Sequence, residues 1–129
     1  MIGTGCKSVV RIFNDDTDIS VGIWPDNSLG VNRAMRTGQR GSGGTAYGDK
    51  GIAKLEGNTG EEQGGVNPAY KKMAEFFSTG IVPVSSVQTL EVLAFMEAAD
   101  ESKLNGGKPF DLEIVMERAR NAKDRLKLK

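Results

Sequence analysis

The sequence predicts an α+β fold in which a mostly antiparallel sheet is packed by about three helices. Strand patterns lie mainly in residues 7–56, and helical patterns follow at about 68–79, 86–105 and 111–126. Strands that precede helices along the chain, instead of alternating with them, are typical of α+β proteins. A chain of 129 residues can bury one hydrophobic core, so residues 1–129 are expected to form a single domain.

Three strands are predicted before residue 37. Residues 8–13 are β-branched, and residues 18–24 and 29–36 alternate between apolar and polar or small side chains. The turn at 25–28 contains Pro, Asp and Asn, which favour turn geometry, and strands joined by so short a turn must be antiparallel. One face of this sheet is therefore apolar, and the other offers Trp24, Asn32 and Arg36.

The next stretch of the chain is rich in glycine. Residues 41–51 predict a tight turn between strands, whose backbone amides could contact a ligand, and residues 52–55 predict a short strand. As a phosphate-binding loop the turn has the wrong residues, because Asp49 would repel phosphate and no helix follows. Residues 57–66 predict an exposed polar loop.

Three helices complete the prediction. Asn67 and Pro68 suit a helix start and Gly80 a helix end. The second helix carries apolar residues almost all round its axis, so it must be covered on more than one side. The third begins with Asp111 as its cap.

Composition excludes several function classes. The chain has no histidine and one cysteine, which removes histidine-based catalytic triads, histidine metal sites and intramolecular disulfides. Its 17 basic and 17 acidic residues cancel, and no apolar run approaches a membrane span. We therefore expect a cytoplasmic protein that binds neither nucleic acid nor membrane. The basic carboxyl terminus keeps nucleic-acid binding open as an alternative to a solvated helix face.

The remaining candidates for chemistry are incomplete. The segment Gly3–Ser8 resembles the start of a dinucleotide fingerprint, but a strand pattern follows it where a helix is required. Carboxylates on or near the second helix could include a general base, or could sit at the rim or bond a neighbouring chain. Arg33, Arg36 and Arg40 could bind an anion or form salt bridges. The carboxylates are Glu91, Glu97, Asp100 and Glu101.

Several strings nevertheless resemble a known family, over roughly residues 7–118. They are GGTAYGDKGI at 43–52, FFSTG at 76–80 with VPV at 82–84, and TLEVLAFMEAADESK at 89–103 followed by GGKP at 106–109. Together they are similar to the carboxyl-terminal portion of the Gfo/Idh/MocA oxidoreductases.

This resemblance implies a two-part parent enzyme that transfers hydride between NAD or NADP and a sugar, polyol or cyclitol. The upstream Rossmann domain would bind the cofactor, and the present domain would shape the substrate pocket and form homo-oligomers through its sheet. The family's cofactor and catalytic motifs are expected upstream of Gly3, so no catalytic, cofactor or metal residue is assigned here and this chain alone is expected to bind no cofactor and to be inactive. The alternative is a stand-alone, non-catalytic module for small-molecule binding or dimerisation. The expected substrate contacts are Trp24, Arg33, Arg36 and Tyr47.

Overall fold

The computed structural model of the chain describes residues 4–38, 41–56 and 68–127. They fall into two compact units, one made of the described residues between 38 and 85 and one made of residues 4–37 and 86–127. Whether the chain acts as the single domain expected from the sequence stays a prediction. Loop 57–66 and the cap residue Asn67 lie outside the described residues.

The fold is α+β with antiparallel strands, as the order of patterns predicts. Its elements are β1 (Ser8–Phe13), β2 (Thr17–Ile23), β3 (Leu29–Met35), β4 (Gly43–Gly48), β5 (Gly51–Glu56), α1 (Pro68–Thr79), α2 (Ser86–Leu104), β6 (Phe110–Asp111) and α3 (Leu112–Lys127).

The larger unit contains a four-stranded sheet in the order β3-β2-β1-β6. The registers fix which residues lie directly opposite each other: Val10 pairs with Val21, and Val21 pairs with Val31 on β3. The turn between β2 and β3 places Asn27 at a φ of 65°, a left-handed conformation that asparagine tolerates better than most residues. The three predicted strands are thus confirmed to within a residue at each end.

The smaller unit corrects the sequence prediction at one place. Residues 43–48 form β4, which pairs with β5 from Gly43↔Glu56 to Gly48↔Gly51, so the turn is confined to Asp49 and Lys50. We expected the whole segment 41–51 to be a turn because its glycines signal turns. A hairpin strand tolerates glycine where few packing contacts are made, and the side chains of β4 are exposed. The same unit contains α1, whose end at Gly80 has the expected left-handed φ of 71°.

Helix α2 packs on the sheet face that carries the small and polar residues. Along β2 the buried positions are Asp18, Ser20 and Gly22, while the apolar residues between them are only half-buried. Small side chains allow the helix axis to approach the sheet closely. The apolar face therefore points away from α2.

The core lies between α2 and strand β1. Val9 is fully buried there against three alanines of α2, and Leu112 at the start of α3 completes the cluster. Cys6 also belongs to it, and Trp24, Phe95, Phe110, Val115 and Met116 pack around it. The alanines are Ala94, Ala98 and Ala99.

The carboxyl end of α2 leads directly into the short strand β6, which the sequence did not predict. Gly106 and Gly107 take φ values of 71° and 81°, and the Gly107 amide donates a hydrogen bond to the carbonyl of Ser102. This closes the helix in the manner that left-handed glycines permit. Three residues after Gly107, β6 begins and pairs with β1, and this strand is too short to leave a pattern in the sequence.

Candidate functional site

A charged cluster lies on the helix-facing side of the sheet, where β1, β2 and α2 meet. The guanidinium of Arg11 donates to Asp18 over 3.1 Å and also forms an ion pair with Asp100 on α2. Arg36 forms an ion pair with the second oxygen of Asp18. The hydrogen bond from Arg11 and the nearby positive charges lower the pKa of Asp18 below its ordinary value. Asp18 is therefore an ionised, fully engaged carboxylate.

Ser102 connects this cluster to the end of α2. Its side-chain oxygen accepts a hydrogen bond from the Arg11 backbone amide at 2.9 Å and donates to the carbonyl of Lys108 at 2.7 Å. The residue is completely buried. Its hydroxyl therefore satisfies two backbone groups that the strand and the turn would leave unpaired.

The four expected substrate residues occupy different surroundings. Trp24 packs against the core beside Gly22, on the side covered by α2. Arg36 is held at the β1–β2 turn, where it donates to the carbonyls of Asn14 and Asp15 at 2.8 and 3.3 Å. Arg33 pairs in register with Ile19 and so lies on the opposite, apolar face of the sheet.

Tyr47 belongs to the β4–β5 hairpin of the smaller unit and is 80% exposed. The sheet therefore separates Trp24 from Arg33, and no shared pocket for the expected residues is formed within the larger unit. The glycine-rich stretch is a paired strand followed by a second strand, so the helix that a phosphate-binding loop requires is not there.

The carboxylates of α2 take mainly structural positions. Glu91 accepts backbone hydrogen bonds from Gly5 at 2.5 Å and from Cys6 at 2.8 Å, which fixes the segment that leads into β1. Glu101 accepts from Arg118 of α3 at 2.5 Å. Glu97 is exposed. No signal in the sequence pointed to the contact between Glu91 and the amino-terminal segment, because it spans 85 residues of chain.

The single thiol is buried beside these contacts. The Cys6 sulfur lies 3.5 Å from the carbonyl of Ser8 and 3.7 Å from that of Ile23. Burial raises the pKa of the thiol above its ordinary value. A protonated, inaccessible thiol is a poor nucleophile, and Cys6 is therefore a packing residue.

The most distinctive surface of the larger unit is the apolar sheet face that α2 leaves open, here called the open face. Every second residue of β1, β2 and β3 has its side chain on this face. The side chains on β3 are well exposed, and Val31 is 67% exposed. Isolated exposed apolar residues are ordinary, whereas a contiguous apolar patch marks an interaction surface. The open face consists of Val10, Ile12, Ile19, Val21, Ile23, Leu29, Val31 and Met35, with Arg33 among them.

The sequence predicts this apolar face but not that α2 covers the opposite one. Apolar alternation indicates which side chains share a face, and it does not indicate which face another element covers. The available signal was the run Asp18, Ser20 and Gly22, whose small size on one face suits a closely packed helix.

No three His, Cys, Asp or Glu side chains within the described ranges are placed to hold a metal ion together. None of the helices described is long and apolar enough to cross a membrane. Comparison with known protein families, with curated proteins and with solved structures found no match for this chain.

Proposed function

We propose that this chain is the carboxyl-terminal substrate-binding and oligomerisation domain of a cytoplasmic NAD(P)-dependent oxidoreductase that acts on a sugar, polyol or cyclitol. The oxidoreductase assignment rests on the resemblance of residues 43–52 and 76–109 to the Gfo/Idh/MocA family. We propose that the domain itself contributes self-association of the enzyme. The observation that supports this role is the open face. The chain alone is not catalytic in this proposal.

The open face is suited to a second copy of the same chain. A two-fold dimer requires one surface that is complementary to itself, and an apolar sheet face that packs on its own copy meets this condition. At ordinary sheet spacings, seven residues on each of three strands cover about 14 Å by about 23 Å, a flat area of about 330 Å² before side-chain relief is counted. Specific interfaces bury at least about 600 Å² per partner. The flat area of the open face is smaller than this, so we expect a weak dimer whose population depends on protein concentration.

Helix α2 also exposes apolar side chains, but they do not form an equivalent surface. Leu90, Leu93 and Met96 lie on its outer side, where Glu97 and the ion-paired Asp100 interrupt them. In the parent enzyme proposed here, this side of α2 is available to the upstream domain. The open face carries a single charge on its three long strands and is the better surface for self-association.

The expected substrate contacts have different surroundings in the structure. Trp24 and Arg36 are held by contacts within the larger unit, and Arg33 lies on the open face. Tyr47 is exposed and keeps its expected role of contacting a sugar-like substrate. Titration of the chain with NAD and with NADP is expected to show no binding, and micromolar binding of either would contradict the absence of a cofactor site.

Two neighbouring residues of β3 provide a matched test of assembly. Val31 belongs to the open face, whereas Asn32 is exposed on the opposite side of the same strand. Light scattering after size exclusion should show that Val31→Lys is monomeric at concentrations where the native chain and Asn32→Lys are dimeric. Equal dimerisation of all three proteins would overturn the proposed role of the face.

A stand-alone dimerisation module of another class would use the same surface. The two hypotheses differ in the reading frame upstream of Gly3. A strand, a Gly-x-Gly-x-x-Gly loop and a helix in that frame support the oxidoreductase, and a frame without them supports the module.

A further inference from the structure

Two charged residues lie near diagonally opposite ends of the open face: Arg33 lies within it, and Asp111 lies on the short strand β6 beside it. Arg33 on edge strand β3 is directly opposite Ile19, and Ile19 is opposite Ile12. Asp111 on the other edge strand, β6, is directly opposite Ser8. Residues that lie opposite each other in antiparallel strands have side chains on the same face, so Asp111 shares the face of Arg33.

Neither charge forms an ion pair in the part of the chain that the structure describes. Within the described residues, Arg33 and Asp111 form no ion pair, although the arginines of the helix-facing cluster and Asp18 are all paired. Both residues are exposed. A charge that lies near the rim of an apolar face, with no ion-pair partner among the described residues, is available to a second molecule.

The registers give the positions of the two charges. Arg33 and Asp111 are separated by four residues along the strand direction and by three strand steps across the sheet. At ordinary spacings these offsets are about 13 Å and about 14 Å, so the line between the charges runs diagonally and is about 19 Å long. Its midpoint falls on the Val10–Val21 pair at the centre of the face.

In a face-to-face dimer the two-fold axis lies in the plane of the interface. Four directions of this axis through the midpoint can be compared by where each one places Arg33 on the second copy. An axis perpendicular to the strands places Arg33 opposite Leu29 of the second copy. An axis parallel to the strands places Arg33 beyond the end of β6 of the second copy. An axis along the diagonal from Arg33 to Asp111 brings like charges together. An axis along the other diagonal places Arg33 of each copy opposite Asp111 of the other copy, so the dimer contains two equivalent Arg33–Asp111 pairs.

We propose that two copies of this chain pack their open faces at nearly a right angle, with the two-fold axis at Val10–Val21 and with reciprocal Arg33–Asp111 ion pairs. This inference rests on the proposed self-association and adds its geometry. Because the two offsets are nearly equal, the strands of the copies cross at close to 90°, one of the two usual arrangements of packed sheets. The apolar centre supplies the affinity, and the ion pairs select the register.

A charge-reversal cycle tests the pairing, with dimer Kd measured by sedimentation equilibrium. Arg33→Glu and Asp111→Arg should each raise Kd about tenfold or more, because each variant replaces two attractive pairs with two repulsive ones. The double variant should return to within about threefold of the native Kd. Lys54→Glu, which makes the same charge change on the hairpin, should leave Kd unchanged.

Rescue in the double variant separates pairing from folding effects. Asp111 precedes the first turn of α3, so Asp111→Arg also removes a favourable helix-terminus charge and should lower the melting temperature. Within one copy the two sites are about 19 Å apart, beyond the Debye length at physiological salt, so Arg33→Glu cannot repair that loss.

The outcomes are distinguishable. A native dimer that Val31→Lys disrupts, but whose Kd the double variant does not restore, overturns the reciprocal pairing and leaves the self-association intact. A native chain that stays monomeric at millimolar concentration overturns both.

Discussion

Phe95 of α2 occupies the space in which a side chain at Gly22 of β2 would stand. A Cβ atom at Gly22 would lie 2.7 Å from the Phe95 ring and 2.8 Å from the Trp24 ring. The absence of a side chain at this position thus lets the helix approach the small-residue face of the sheet. This close approach explains why α2 covers that face and leaves the apolar one open.

Gly22→Ala should destabilise the larger unit by about 1–3 kcal/mol, because two rings in the core must shift to make room. Trp24 is the only tryptophan, so its fluorescence during urea unfolding reports directly on this region. Gly44→Ala is the matched control, since a Cβ there meets nothing within 4 Å and the φ is not left-handed. An equal, small effect of both substitutions would show that the helix does not pack as described.

Ser102→Ala should cost about 2–4 kcal/mol of unfolding free energy. The substitution leaves the Arg11 amide and the Lys108 carbonyl without their hydrogen-bond partner, and each buried unpaired group is costly. Ser78→Ala removes a hydrogen bond on an exposed side of α1 and should change stability by less than about 0.5 kcal/mol. Urea denaturation of both variants checks the difference, and indistinguishable midpoints would argue against the bridging role of Ser102.

Acid should destabilise the protein through Asp18. Its pKa is lowered in the folded state, first by the hydrogen bond from Arg11, so its stabilising contribution is present above the unfolded pKa of about 3.9. That contribution is lost as the pH falls through the lower folded pKa. Asp18→Asn should be less stable than the native chain at neutral pH and should lose less stability below about pH 4.

The measurement for Asp18 is the urea midpoint between pH 7 and pH 2. Asp49→Asn, which removes an exposed carboxylate of the hairpin, should follow the native curve. Parallel curves for the native chain and Asp18→Asn would mean that another group controls the acid transition.

The Cys6 thiol should resist modification until the protein unfolds. Its raised pKa keeps it protonated, and its buried position blocks access, so a disulfide reagent at pH 8 should react at least about a hundredfold more slowly than with a free cysteine. Urea should restore the ordinary rate. A Cys6→Ala/Ser42→Cys variant carries its thiol at an exposed position and should react at the ordinary rate without denaturant. Fast labelling of native Cys6 would contradict its burial.

The sequence predicted the helices and the first three strands well because their signals are local. Alternation in residues 18–24 and the glycine at 80 act within a few residues of the chain, and the structure has the expected elements there. The strand at 43–48 was missed because its glycines, taken one at a time, indicate a turn. Pairing with β5 overrides that local preference.

The candidate site was predicted less well because it depends on contacts between distant segments. Arg33 belongs to a strand that the sequence predicts correctly and Trp24 directly follows another, yet Trp24 contacts the core and Arg33 lies across the sheet. Nothing in a single alternating segment specifies which face a later helix covers. A strand with apolar residues on one face and small residues on the other therefore indicates that a helix packs on the face with the small residues.

In the dimer proposed above, the open face packs against the open face of a second copy of this chain. Methyl NMR with a soluble paramagnetic probe tests it directly, by comparing probe broadening at low and high protein concentration. At high concentration the methyl groups of Val21, Val31 and Ile12 should become protected, while those of Val92 and Leu93 on the exposed side of α2 stay accessible. Sheet methyl groups that remain as accessible at high as at low concentration would contradict the account.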